Sequence, residues 1–104
     1  MTATINDIKE NLDKLEEMLV PRLNQRPHYV PYIYSRKQID YMKQLLADKN
    51  NITKDDEKNI KLGIMSVKEN LYNEDREFDR QISKLTWVIS EYTGTLDKSI
   101  FSTK

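Results

Sequence analysis

The chain contains no cysteine, only two glycines, three prolines, one histidine and one tryptophan. Without cysteine there is neither a disulfide framework nor a thiolate metal site, and nothing indicates an oxidising compartment. The lone histidine, His28, sits in a connector with no serine or cysteine nucleophile motif beside it, which leaves a histidine-based acid–base system little to work with. No glycine-rich phosphate loop, paired-histidine zinc motif or GxSxG is present. No segment approaches roughly 18 uninterrupted apolar residues, and the N-terminal MTATINDIKENLDK has no basic stretch leading into an apolar one. The expected location is the cytoplasm without membrane contact, and no catalytic residue, cofactor or metal ligand is expected.

An excess of charge of one sign is missing too. Seventeen Lys and Arg balance seventeen Asp and Glu, which argues against a generic nucleic-acid binder. The balance hides blocks: residues 22–49 hold six bases and two acids, and residues 55–79 hold eight acids and four bases. Such a dipolar surface suits a protein partner. At 104 residues, 38% hydrophobic and 33% charged, the chain has room for one domain with a modest core.

What is present is helical periodicity. Ile5, Ile8, Leu12, Leu15, Leu19 and Leu23 recur at spacings of three and four, one face of a helix that is expected to kink or end near Pro21. After the connector NQRPHYVP, a second helix is expected to start between Pro31 and Ser35 and run to about Lys49, with Ile39, Met42 and Leu46 as its stripe. Thr53 followed by Asp55, Asp56 and Glu57 resembles a cap with a first turn of acids. It opens a third helix with the stripe Ile60, Ile64, Val67, Leu71. Gly63 interrupts this helix at about 1 kcal/mol relative to Ala, and admits a closely approaching neighbour.

Asn73 or Asp75 can cap a fourth helix, whose stripe Phe78, Ile82, Leu85, Ile89, Tyr92 stops at Gly94. No run alternates with period two. The expected fold is all-α, a small antiparallel bundle of about four helices over residues 1–94. Residues 95–104 are expected to form a tail, partly ordered through Ile100 and Phe101.

Two chemical patterns dissolve on inspection. DKNNITKDDEKN places Ile52 and Thr53 where a calcium loop needs an oxygen ligand and Gly, so helix capping explains its acids better. Glu16 and Glu17 are the paired carboxylates of a solvated helix face before they are glycosidase chemistry.

The surplus lies in residues the stripes do not need. Tyr29, Tyr32, Tyr34 and Tyr41 crowd into thirteen residues with Arg36 and Lys37, types that interfaces favour because they bury area while offering hydrogen bonds. At about 100° per residue Trp87 lies nearly opposite its helix's apolar stripe, among Arg80, Lys84 and Glu91. These seven residues, Tyr29, Tyr32, Tyr34, Arg36, Lys37, Tyr41 and Trp87, are the expected partner contacts. The competing reading is that the tyrosines close a core edge and a neighbour covers Trp87. Glu10, Asp13 and Glu17 form an acidic ridge on the first helix that serves either a basic partner or solvent.

The stretches RLNQRPHY, SRKQIDYMKQLLAD and IKLGIMSVKENL carry a likeness through Arg22, Leu23, Pro27, Tyr29, Lys37, Gln38, Tyr41, Asp48, Leu62, Gly63, Val67, Lys68 and Glu69. In these the chain resembles the small helical immunity proteins paired with type VI secretion NAD(P)+ glycohydrolase effectors. The resemblance implies a cytoplasmic protein of interbacterial competition that binds a cognate effector toxin domain and stops it from hydrolysing NAD(P)+, by occlusion and not catalysis. Two alternatives stay open: immunity to another toxin activity (nuclease, nucleotide-modifying or ADP-ribosylating), or a self-associating helical adaptor of phage or bacterial origin. Self-association of the free chain is left undecided.

Overall fold

The computed structural model describes residues 2–96. It is an all-α bundle of six elements: α1 (Ile5–Gln25), α2 (Val30–Lys49), α3 (Lys54–Glu57), α4 (Leu62–Lys68), α5 (Leu71–Glu74) and α6 (Arg76–Thr93). α1 packs along α6 and α2, while α6 also supports α3, α4 and α5, and α2 meets α4. The whole measures 39 × 38 × 20 Å. Its thickness is about two helix diameters, so the molecule is a slab with broad faces.

α1 begins with a reciprocal cap, Thr4 accepting from the Asp7 backbone N–H while the Asp7 carboxylate accepts from that of Thr4. Its face Ile8, Leu12, Leu15 and Leu19 is buried to within 1% of complete. Of the two outcomes expected at Pro21, an end does not occur: α1 continues to Gln25. Pro21 and Glu17 are both exposed, so the carbonyl that loses its helical partner lies on the solvent side of the helix, and Leu23 and Arg22 hold the segment beyond it through tertiary contacts. α2 begins at Val30, one residue before the expected window. Ser35 caps nothing: it is fully buried within α2 and its hydroxyl donates to the Pro31 carbonyl at 2.7 Å.

The expected third helix is three short ones. The Thr53 cap forms, but after Glu57 the Asn59 and Ile60 N–H groups bond three residues back, to Asp56 and Glu57, and the helical ladder is lost. The chain resumes as α4, breaks at Asn70 in the left-handed conformation (φ 57°), and breaks again at extended Asp75. The stripe therefore rotates. Leu62, Met65 and Leu71 enter the core, while Ile64 and Val67 face outward at 60% and 80% exposure. Nor does Gly63 admit a close neighbour, since a Cβ there would meet the Thr86 methyl at an ordinary 3.9 Å.

α6 matches its expected pattern, with Phe78, Ile82, Leu85 and Ile89 buried and Gly94 left-handed (φ 84°) beyond its end. Asp75 is its cap, accepting from the Phe78 N–H at 3.4 Å. The same carboxylate takes the Arg22 guanidinium of α1 at 2.6 and 3.2 Å and the Tyr32 hydroxyl of α2 at 2.5 Å. The expected docking of Ile100 and Phe101 lies outside the described residues.

Burial pushes the Asp75 carboxyl up, but the hydrogen bonds from Arg22 and Tyr32 outweigh it and hold it below its ordinary value. A carboxylate with a lowered folded-state pKa contributes stability that is complete above the unfolded value and drains away as pH falls through the folded one. Asp75→Asn is expected to lower unfolding free energy by about 2–3 kcal/mol at neutral pH. Urea titrations below pH ~4 should show the wild type losing stability more steeply than the variant.

Candidate partner interface

The break before α4 is held from outside. The Gln38 side chain donates from Nε2 to the Asn59 carbonyl (3.3 Å) and accepts the Lys61 N–H on Oε1 (2.7 Å). One amide thus replaces the helical bonds that residues 59–61 forgo and lays α4 beside α2. With Tyr32, Ser35, Ile39 and Met42 buried, Val30, Tyr34, Lys37 and Tyr41 share one face of α2 by their spacing, Val30 and Lys37 exposed and the two tyrosines half-buried.

Between the two helices lies a groove of about 250 Å³ lined by Val30, Tyr34, Lys61, Ile64, Met65, Lys68 and Glu69. Val30 and Ile64 are 61% and 60% exposed. Exposed apolar residues are commonplace singly, but here two from different helices converge on one depression, with Val67 a turn along α4 from Ile64. Lys37, Lys61 and Lys68 enter no salt bridge among the described residues.

The seven expected contact residues do not form one patch. Tyr34 and Tyr41 are half-buried and Lys37 exposed, together on the outer face of α2. Tyr29 is half-buried, with the Arg26 guanidinium 3.7 Å from its ring centroid and Tyr32 edge-on at 4.6 Å. Tyr32 is only 4% exposed and stacks edge-on with Phe78, so it braces the core and does not face outward. Burial and the adjacent Asp75 push its hydroxyl up to about 12. Arg36 is equally committed: it bonds Glu16 of α1 and Asp40 of α2, both at 2.7 Å, and Glu16 also takes Lys43 at 2.8 Å. The bonds from Lys43 and Arg36 hold the Glu16 carboxyl below its ordinary value, so this trio is a clamp between α1 and α2.

Trp87 is 45% exposed on α6, and Glu10, Asp13 and Glu17 are exposed on α1. Periodicity assigned Ile64 and Val67 to the core and gave Val30 no role. The signal that places them outside is the asparagines flanking α4, Asn59 and Asn70, which favour turns over helix interiors.

Among the described residues every buried side-chain nitrogen and oxygen has a hydrogen-bond partner. No cluster of three or more potential metal ligands occurs among them, and no helix is long and apolar enough to cross a membrane. The model of the Tsi6 family matches residues 7–91, from the first turn of α1 to the last of α6. Comparison with curated proteins and with solved structures gives no match.

Among the described residues the Lys61 N–H donates only to Gln38 Oε1, and Gln38→Ala removes that bond. Hydrogen exchange at that amide is expected to accelerate at least tenfold, with core amides of α1 little changed and a stability loss of about 1 kcal/mol. Unchanged exchange at Lys61 would mean that the break before α4 is held by something else.

Proposed function

The chain belongs to the Tsi6 family, a family of type VI secretion immunity proteins, and from that premise we propose that it silences an NAD(P)+ glycohydrolase toxin by covering it. Immunity implies a toxin as protein partner. The choice of an NAD(P)+ glycohydrolase rests on the likeness carried by RLNQRPHY, SRKQIDYMKQLLAD and IKLGIMSVKENL. Because NAD(P)+ is consumed in the cytoplasm, the two proteins meet there.

The observation that carries the reading is the outward face of α2 and α4. It bears the exposed Val30, Lys37, Ile64 and Val67 beside the half-buried rings of Tyr34 and Tyr41, on a framework in which every buried side-chain nitrogen and oxygen among the described residues is paired. Tyr34, Lys37 and Tyr41 make the contact, with Tyr29 at its edge; Tyr32 and Arg36 hold the helix that presents them. Trp87 offers a second anchor on α6. A face of 39 × 38 Å is on the order of 1,500 Å² in projection, and a standard interface of about 800 Å² per partner occupies roughly half of it. Occlusion asks no chemistry of this chain: it excludes substrate by standing where substrate would bind.

Co-expression with the toxin domain encoded beside this gene is expected to restore growth and cellular NAD+. An equimolar amount of the purified chain should suppress NAD+ hydrolysis in vitro. Undiminished toxicity rejects immunity for that pair, whereas protection without NAD+ hydrolysis by the toxin rejects only the substrate. Lys37→Glu and Trp87→Ala are each expected to weaken toxin binding by more than about 1 kcal/mol, at unchanged urea midpoint. Unchanged affinity for either variant removes that residue from the interface.

A further inference from the structure

Building on the immunity reading, we propose that the groove between α2 and α4 receives one large apolar side chain of the toxin, presented between two carboxylates. The groove's size selects for this. At about 250 Å³ it falls below the roughly 300–1,000 Å³ of small-molecule sites, yet it exceeds the space of several waters, and Met65 closes its inner side. A single aliphatic or aromatic side chain fits it, and a dinucleotide does not.

Charge selects the flanks. Lys61 and Lys68 line the groove from the α4 side, seven residues apart and so roughly 10 Å along that element. Lys37 follows Tyr34 by three on the α2 side, placing it a turn further along the same face. Glu69 is the one acid of the lining. A partner that buries an Ile, Leu, Met or Phe here and carries Asp or Glu on both sides meets an oppositely charged group at each end.

A second copy of this chain fits poorly. An isologous contact with its axis through the groove would set Lys61 of each copy towards Lys68 of the other, like charge against like. Residues 97–104, DKSIFSTK, offer Ile100 and Phe101 but bring two lysines and a single acid, the groove's own sign.

The test measures affinity of the full-length chain for the catalytically inactivated toxin domain encoded beside it. Ile64→Asp and Val30→Asp are expected to weaken binding at least tenfold, and Lys68→Glu several-fold, with urea midpoints unchanged because all three positions are exposed. Wild-type affinity should fall with added salt more steeply than that of the Lys61→Glu/Lys68→Glu double variant. Reversal of one toxin carboxylate to Lys should restore binding to Lys68→Glu.

If the wild type binds and protects while these variants stay within twofold of it, the groove is not the contact and the immunity reading stands. If the wild type neither binds nor protects, the immunity reading itself falls. Tighter toxin binding by an Ile100→Asp/Phe101→Asp variant would make the chain's own C-terminal segment the occupant and overturn the proposal. A toxin-free dimer that Ile64→Asp dissociates would overturn it in favour of a second copy.

Discussion

The carboxylate of Asp75 is the point on which three helices converge. It caps α6, receives the guanidinium of Arg22 from α1 and takes the hydroxyl of Tyr32 from α2. A buried carboxylate disfavours its own charge, yet several donors on one group more than repay that penalty. The opposite end of α6 has a counterpart: Glu57 accepts from Ser90, Thr93 and Thr95, and the Tyr92 hydroxyl donates to Asn51. Between these polar pins the apolar seam of α1 and α6 supplies cohesion without direction. The pins supply direction, which a modest core of interchangeable aliphatic side chains does not.

The same division explains how the groove keeps its shape. Its α2 wall is held by Tyr32 to Asp75 and by Arg36 and Lys43 to Glu16, and its α4 wall by the Gln38 amide on residues 59 and 61. Neither wall relies on the exposed side chains that line it, Val30, Lys61, Ile64 and Lys68. A surface organised before the partner arrives avoids ordering side chains and loops during association, which favours tight binding from a small area.

α1, α2 and α6 were legible because each buries one long stripe at helical spacing, and a stripe of four or five residues outweighs a local breaker such as Pro21. The segment from Thr53 to Asp75 was not. Its period was real in the sequence, but Gln38, more than twenty residues upstream, captures the backbone at Asn59 and Lys61, and Asn70 takes up the left-handed conformation. Periodicity sees neither event. The proposed contact face was half legible: Tyr34, Lys37 and Tyr41 stood out as residues the α2 stripe did not need. Tyr32 looked the same in sequence, and only its distant partner Asp75 makes it internal. Val30, Ile64 and Val67 went unseen because an aliphatic residue at helical spacing is ordinarily core. The place where local pattern and global fold disagree is the place where apolar surface is left over.

That disagreement has an evolutionary consequence. Most substitutions in a small domain trade away stability, so a protein that must track a changing adversary is ordinarily restrained by its own fold. Here Ile64, Val67 and Lys68 ride on a seven-residue helix whose buried residues are Leu62, Met65 and Ser66. Variation on the outward side alters recognition while leaving the folded state nearly untouched. On the proposed reading the short helix carries recognition apart from stability, so its outward residues are free to vary without the fold first having to become more stable.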